Sequence, residues 1–440
     1  MNLPLQKYFR LNPECYLVKG ADRGAIYNLL SGDIISLNPK NTNILIDCEE
    51  GKSIKEIINS TDDQCLVLFE KLREIKAGSF YEKKIYIKKY GDRDPWKTFS
   101  PVPPVLSLGF IELSNLCELE CFFCKGNEIK PFYRGCLGCS KWPIDGEKQL
   151  ELSDWTKVLS QLNDLECRDL VIVGGNPLLI EDKFKALVNE IRSFNFKKIF
   201  VYTNGMYLPE NIIKLLEKYE VYPIIQVFSC KPNEYKLITG RHGRFNILTN
   251  NLHKLIKNSV KFSITILVSQ ITQNSIEKII ESYNDLMPEN IYFNYLYPTY
   301  NNLSDFSPEY CEKLIIAKKN LPRISVEDFY NKKDYNSCLR GKIAITAEGD
   351  ILPCIMMRDD IIGNIRENSL QDIFADKKID LYWELSKDKI DICKKCEYRY
   401  ACSDCRALEK SVTKNLYGRK YCAYNPNKGE WATDFLTVLQ

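Results

Sequence analysis

The spacing of apolar and polar positions changes twice along the chain, and the changes divide it into three segments. In residues 1–92, short apolar runs broken by Gly, Asn and Asp ("CYLVKG", "GAIYNLL", "DIISLN") have the length and punctuation of strands. Three stretches with helical spacing follow, "NTNILIDCEEG", "SIKEIINS" and "DQCLVLFEKLREIKAG", and then a strand-like "KKIYIKK". Three strands, three helices and a wing predict a winged-helix-like domain. The stretch "GDRDPWKTFSPVPP" has the Pro and Gly content of a linker, placed at 93–104.

Residues 105–325 repeat a strand–helix unit. The strand-like runs are "VLSLGFIEL", "DLVIVGG", "KIFVYTNG", "YPIIQVFS", "KFSITILVS" and "NIYFNYLYP", separated by helical stretches such as "ELSDWTKVLSQLNDLE", "DKFKALVNEIRSF" and "ENIIKLLEKY". Each strand is almost continuously apolar, as a parallel strand is when helices cover the sheet. Six units at roughly 30-residue intervals predict an α/β fold, a partial (β/α)6 TIM-like barrel, whose functional loops follow the strands. From 326 to 440 the regular apolar pattern gives way to short elements carrying Cys338, Cys354, Cys393, Cys396, Cys402, Cys405 and Cys422. A segment of that kind is expected to need bound metal to fold.

Composition narrows the chemistry. Hydrophobic residues are 45% and charged residues 27% of the chain, and net charge is +3, with no basic block of the kind that binds nucleic acid. No apolar run reaches the roughly 18 residues of a membrane helix, and the N-terminus lacks the apolar core of a signal peptide, so neither membrane nor export is expected and the protein is placed in the cytoplasm. In that compartment eighteen cysteines argue for metal or cluster binding rather than disulfides. The only two histidines, His242 and His253, lie away from the cysteine groups, which gives little support to Cys/His zinc sites or to histidine general-base chemistry.

The densest cysteine group is "ELSNLCELECFFCKG", with Cys117, Cys121 and Cys124 spaced CxxxCxxC directly after the first barrel strand. Zinc takes four tetrahedral ligands and an iron–sulfur cubane one ligand per iron, so three thiolates leave one position open. Taken alone, the motif is also compatible with part of a zinc site or with chance. Likewise CxxCxxxxxCxxC with Cys422 is compatible with a zinc ribbon. Cys136 and Cys139 form a further CxxC in "RGCLGCSKWP", for which a labile metal, a thiol pair and a purely structural pair all stay open. Cys15, Cys48, Cys65, Cys167 and Cys230 sit in apolar or element-edge contexts and read as small buried hydrophobes.

With the barrel, the CxxxCxxC after its first strand and "GGNP" after its second, the chain resembles the radical S-adenosylmethionine enzymes. The resemblance implies that Cys117, Cys121 and Cys124 bind three irons of a 4Fe-4S cluster and that S-adenosylmethionine chelates the fourth through its amine and carboxylate. Reductive cleavage then yields a 5′-deoxyadenosyl radical that abstracts a hydrogen atom, so that the cofactor carries the hard chemistry and the protein supplies placement. By the same resemblance Phe123 lies against the adenine, Gly174, Gly175, Asn176 and Pro177 meet the methionine amine, and Asn204, Ser229 and Arg241 line the cosubstrate. Asn176 departs from the family's Glu at that position.

The C-terminal cysteines resemble the SPASM extension. That implies a first auxiliary 4Fe-4S cluster on Cys338, Cys354 and Cys405 and a second on Cys393, Cys396, Cys402 and Cys422, three clusters in all. Relatives often have three residues where this chain has two between Cys402 and Cys405, and some have a further cysteine before Cys338 that is missing here. The first auxiliary cluster therefore keeps an open iron, or Cys311 completes it. Residues 1–92 resemble the RiPP recognition element, which binds the leader of a ribosomally made precursor peptide by β-augmentation.

These resemblances imply a peptide maturase that installs a cross-link, thioether favoured or carbon–carbon, with the leader and core of a precursor peptide and a flavodoxin- or ferredoxin-type electron donor as partners. Cα epimerisation, side-chain oxidation of the sulfatase-maturase type, and a non-catalytic cluster- or zinc-binding protein that holds a peptide are the alternatives. No catalytic acid, base or hydrogen donor is identifiable from sequence.

Overall fold

The structure, a computed structural model, describes residues 6–61, 64–90, 106–124, 133–134, 138–139, 142, 148–299, 305–316, 321–403 and 405–432. The expected linker at 93–104 and Cys136 lie outside the described residues.

The N-terminal segment builds two small antiparallel sheets on three helices. β1 (Tyr8–Leu11) pairs with β5 (Gly78–Tyr81), while β2 (Cys15–Lys19), β3 (Gly24–Asn28) and β4 (Ile34–Leu37) form a meander with β3 in the centre. Helices α1 (Pro39–Glu50), α2 (Ile54–Thr61) and α3 (Gln64–Glu74) lie between β4 and β5. Asn38 caps α1 by accepting from Asn41 N at 2.8 Å, Pro39 opens its first turn, and Gly51 closes it at φ +94°. Phe9, Ile26, Ile44, Phe69 and Leu72 share one core, with Phe9 stacked on Phe69 at 4.5 Å between ring centres. Cys15, Cys48 and Cys65 are buried in that same core as hydrophobes, and burial pushes the Cys15 thiol up to about 12. The expected strand "KKIYIKK" does not form. Its place beside β1 is taken by "GSFY" of β5, and residues 84–89 carry no regular structure, with Tyr86 83% exposed.

Six parallel strands follow in spatial and sequence order: β6 (Leu108–Ser114), β8 (Asp169–Gly174), β9 (Lys198–Thr203), β10 (Val221–Val227), β11 (Ser263–Val268) and β12 (Ile291–Tyr297). A short β7 (Tyr133–Arg134) pairs antiparallel with the outer edge of β12. The crossovers carry α4 (Leu152–Asp164), α5 (Glu181–Ile191), α6 (Glu210–Lys218), α7 (Pro232–Thr239), α8 (Arg244–Lys257) and α9 (Ile276–Asn284). Between β10 and β11 the chain places two helices, of which α7 was not expected from the pattern.

The strand register separates the two sheet faces. Ile111, Leu113, Leu170, Ile172, Ile199, Val201, Ile225, Val227, Ile264 and Ile266 are all fully buried on the face that the helices cover. The alternate positions, including Glu112, Tyr202, Gln226 and Thr265, point to the inside of the barrel. A mostly aliphatic outer face and a mixed polar inner face are what a partial barrel that takes a ligand requires.

The sheet continues beyond the barrel. After α10 (Pro308–Leu314) and α11 (Val326–Asp334), β13 (Lys342–Ile345) joins β6 in parallel, Lys342 opposite Leu108, and β14 (Asp350–Leu352) and β15 (Gly363–Asn364) extend it to ten strands. The C-terminal segment adds α12 (Leu370–Ala375), α13 (Asp380–Trp383), α14 (Arg406–Thr413) and the small hairpin of β16 (Tyr424–Asn425) and β17 (Glu430–Trp431). Among the described residues no helix is long and apolar enough to cross a membrane.

Candidate active site

The CxxxCxxC loop leaves β6 at Ser114 and is fastened at both ends. Ser114 Oγ accepts from Leu116 N at 3.0 Å, Cys124 N donates to Cys121 O at 2.8 Å in a 3₁₀ turn, and Glu120 N donates to Thr239 O at the end of α7 at 3.0 Å. Cys121 is buried, and Cys117 and Cys124 are half-buried.

The "GGNP" run packs backbone to backbone against this loop. A Cβ on Gly174, whose φ is +140°, would stand 2.0 Å from Ser114 O, and one on Gly175 would stand 2.3 Å from Leu116 O. That proximity lets Gly175 N and Asn176 N donate to Ser114 O and Leu116 O at 2.9 and 2.7 Å. Both amides are spent on the cysteine loop. Pro177 has none to offer, and it opens a 3₁₀ turn (Pro177–Leu179).

Asn176 is fully buried and turned into a polar knot. Its Nδ2 donates to Glu118 Oε1 at 2.9 Å and to Asn204 Oδ1 at 3.1 Å, while its Oδ1 accepts from Thr203 Oγ1 at 2.8 Å. Asn204 Nδ2 donates in turn to Glu118 Oε2 at 3.1 Å and to Cys117 Sγ at 3.4 Å. Asn204, after β9, thus holds the first cysteine of the motif directly, while the Glu118 carboxylate ties Asn176 and Asn204 to the same loop. Glu118 was not among the residues singled out from sequence. Its only signal there was a charge between two cysteines, and its partners come from two other strands.

The other residues expected to line the cosubstrate also have partners within the chain. Phe123 is buried with its ring centre 5.8 Å from that of Phe228. Ser229 Oγ donates to Glu234 Oε2 at 2.5 Å and accepts from Lys231 N at 3.0 Å, closing the turn into α7. Arg241, half-exposed, is paired with Glu120 of the cysteine loop. Cys139 is buried, and together with Cys121 and Glu118 it acts on the buried Tyr235 hydroxyl, which burial above all pushes far up. The second cysteine of the extra CxxC therefore lies on the same side of the barrel as the motif. Next to the cysteine loop is a cavity of about 320 Å³ lined by Phe122, Leu237, Gln270, Ile271, Leu296 and Phe306.

The C-terminal cysteines fall into two groups. Cys338 and Cys405 share a hydrogen bond that holds Cys338 down and Cys405 well up, and Cys354 acts on the same Cys405. Cys393, Cys396, Cys402 and Cys422 act on one another within a second group. Four cations surround that group. Arg419 acts on Cys422, Arg406 and Lys387 act on Cys393 and Cys402, and Lys332 acts on Cys402. Cys311, on α10, is raised by burial alone. Tyr421 feels Cys311, and Tyr297, in edge contact with Tyr421 at 5.2 Å, feels Cys405. Among the described residues no three His, Cys, Asp or Glu side chains converge closely enough for a single metal ion.

The Radical SAM superfamily model matches residues 111–283, and that of the SPASM iron–sulfur cluster-binding domain matches residues 337–397. The chain is similar to the sporulation killing factor maturation protein SkfB of Bacillus subtilis (strain 168), 22% identical over 282 residues, 60% of this chain and 63% of that protein, so the match spans less than two thirds of that relative. It is also similar to a GTP 3′,8-cyclase of Clostridium perfringens (strain SM101 / Type A), 23% identical over 293 residues, 60% of this chain and 86% of that one. Among solved structures, native anSMEcpe with bound AdoMet superposes with a TM-score of 0.53 and 16% identity, covering 76% of this chain and 95% of that chain, which shows the shared fold. The chain carries a Radical SAM domain in its barrel and an iron–sulfur cluster-binding SPASM domain after it.

Proposed function

We propose that this chain is a radical SAM peptide maturase that modifies the core of a ribosomally made precursor, with Cys117, Cys121 and Cys124 as the ligands of its reactive cluster. The observation that carries the proposal is the knot of Cys117, Glu118, Asn176 and Asn204 at the open ends of the parallel strands. The residues present fit the absent groups. Three thiols lie on one fastened loop, and the two "GGNP" amides are already consumed, which leaves carbonyl and carboxylate oxygens as acceptors for an ammonium. Bound there, a 4Fe-4S cluster with S-adenosylmethionine supplies a 5′-deoxyadenosyl radical able to take a hydrogen atom from a substrate.

The chain's own residues do the positioning. Asn204 steadies the Cys117 sulfur, Glu118 sets a negative charge beside it, and Phe123 and Phe228 close the apolar floor of the loop. The 320 Å³ cavity beside Phe122 is large enough for a peptide side chain. A peptide substrate is supported by the naming of SkfB as a maturation protein and by the N-terminal meander, whose β2 and β4 are edge strands to which a leader can add. Cys338, Cys354 and Cys405, then Cys393, Cys396, Cys402 and Cys422, are the proposed auxiliary ligands. The first set offers three thiolates, with Cys311 as the candidate fourth ligand; were Cys311 not to bind, the open iron would be able to take a substrate thiolate, the case that favours a thioether product. A flavodoxin- or ferredoxin-type protein is the proposed electron donor, in the cytoplasm.

The test is iron content and cosubstrate cleavage. Anaerobically reconstituted protein is expected to bind about twelve irons. The triple change of Cys117, Cys121 and Cys124 to Ala should remove about four of them and abolish formation of 5′-deoxyadenosine. Full cleavage by that variant overturns the proposal. Consumption of GTP by the native protein without any precursor would replace the peptide by the small substrate of the cyclase relative.

A further inference from the structure

The barrel interior contains polar atoms that the fold does not use. Gln226 projects from the inner face of β10, level with Thr265 of β11, and is 1% exposed. Neither Nε2 nor Oε1 of its amide has a hydrogen-bond partner. A buried amide left in this state costs free energy at both ends, so a native protein keeps one where a ligand completes it.

The surroundings repeat the pattern. Gly138 lies directly over Gln226, and a Cβ there would fall 1.9 Å from Oε1, so the chain approaches the amide as closely as glycine allows. Four residues on, Trp142 stacks on the Arg358 guanidinium at 5.0 Å. Arg358 is anchored through Nη2 to both oxygens of Glu112, at 2.7 Å each, from the inner face of β6. Its Nη1 and the Trp142 Nε1 are buried without partners as well. The described residues between 138 and 142 thus touch the inner face at β10 and at the Glu112–Arg358 pair, and at each point polar atoms are left waiting.

The inventory of these atoms selects a ligand class. Gln226 contributes a donor nitrogen and an acceptor oxygen, and Arg358 and Trp142 contribute donors only. A peptide main chain offers each residue's carbonyl with two lone pairs and its amide with one proton, an excess of acceptors over donors. The Gln226 amide pairs with a main-chain amide through two opposed bonds, and the Arg358 and Trp142 donors match further carbonyl lone pairs. Such recognition ignores side-chain identity, as suits a core segment presented by a leader bound elsewhere. Gln226 also lies three residues, about 10 Å along the strand, before Ser229.

We infer that Gln226, with Arg358 and Trp142, binds the main chain of the core peptide inside the barrel and positions it for hydrogen abstraction. The inference rests on the peptide reading above. Its test uses the reconstituted full-length enzyme with S-adenosylmethionine bound and a randomised, displayed peptide library. Peptides enriched on the native enzyme are synthesised, and their affinities are compared on Gln226→Leu and on the isosteric Gln226→Glu, which keeps shape and removes the donor. Affinity should fall about tenfold or more in both variants, while iron content and S-adenosylmethionine affinity stay native. N-methylation of one peptide amide should weaken native binding by the same factor and leave Gln226→Leu unaffected, which a merely structural glutamine does not predict. Equal peptide affinity in native enzyme and variants overturns the inference alone. So does a loss of S-adenosylmethionine affinity with peptide binding intact, which would give Gln226 to the cosubstrate. Failure of the native enzyme to enrich any peptide overturns the peptide reading together with the inference.

Discussion

At the scale of single residues, charge decides more than identity. The Asn in "GGNP" is neutral, yet the site has a carboxylate, because Glu118 reaches Asn176 and Asn204 from within the cysteine motif. A similar consideration applies to the second C-terminal cysteine group. Positive charge and hydrogen bonds to sulfur favour the reduced, more negative form of a cluster and so raise its potential. Arg419 sets its positive charge on Cys422, and the buried Lys332, Lys387 and Arg406 act on the same group. Arg419→Gln is expected to lower the midpoint potential of one auxiliary cluster and to leave the other two unchanged, as measured by potentiometric titration followed by electron paramagnetic resonance. An unchanged set of three midpoints would remove Arg419 from that role.

At the scale of elements, the site depends on how closely two loops approach. β6 and β8 are in register up to Glu112 opposite Val173, and the ladder then shifts so that Ser114 faces Gly174. The irregularity brings the loop after β6 onto the "GGNP" backbone. Gly174→Ala would force a Cβ to 2.0 Å from Ser114 O at a φ of +140°, which no side-chain rotation relieves. The variant is expected to lose the four irons of the Cys117 loop and to retain the roughly eight of the C-terminal groups, read by iron analysis and by absence of 5′-deoxyadenosine. The apolar periodicity predicted this strand order, because continuous apolar runs alternating with helical spacing leave a parallel sheet as the arrangement that covers both faces. It did not predict α7, since "PNEYKLIT" offers too few apolar positions to stand out from a loop. Nor did it predict β5, since "KKIYIKK" had the stronger strand pattern and only pairing with β1 selects "GSFY" instead.

At the scale of the whole molecule, the N-terminal domain is not an independent attachment. Val18, Ala25, Tyr27 and Leu29 from its meander share an aromatic core with Ile324, Phe329, Tyr398, Tyr400 and Tyr424. Ala21 N donates to Lys395 O at 2.7 Å, Tyr27 OH to Glu397 O at 2.9 Å, and Arg399 Nη1 to Lys19 O at 2.9 Å, all on the segment between Cys393 and Cys402. Deleting residues 1–90 would therefore expose Phe329, Tyr398, Tyr400 and Tyr424 to water as one patch, and exposed apolar patches of that kind drive association. The truncated chain is expected to sediment as oligomers, while whatever remains monomeric keeps cleaving S-adenosylmethionine, because the Cys117 knot lies wholly in the barrel. A truncated chain that stays monomeric would show that this shared core is dispensable.

What the sequence determined by itself was local chemistry and periodicity. The strand–helix repeat prescribed a parallel barrel, the CxxxCxxC spacing put three thiols on one loop after its first strand, and the density of cysteine beyond residue 330 marked a second region of metal chemistry. Those signals survive in one dimension because the residues that produce them are neighbours along the chain. Tertiary structure alone decided which distant groups meet. Glu118 finds Asn176 and Asn204 because three strand ends converge, Cys338 finds Cys405 across 67 residues, and the unpaired amide of Gln226 stands inside rather than outside because the register of β10 puts alternate residues on opposite faces.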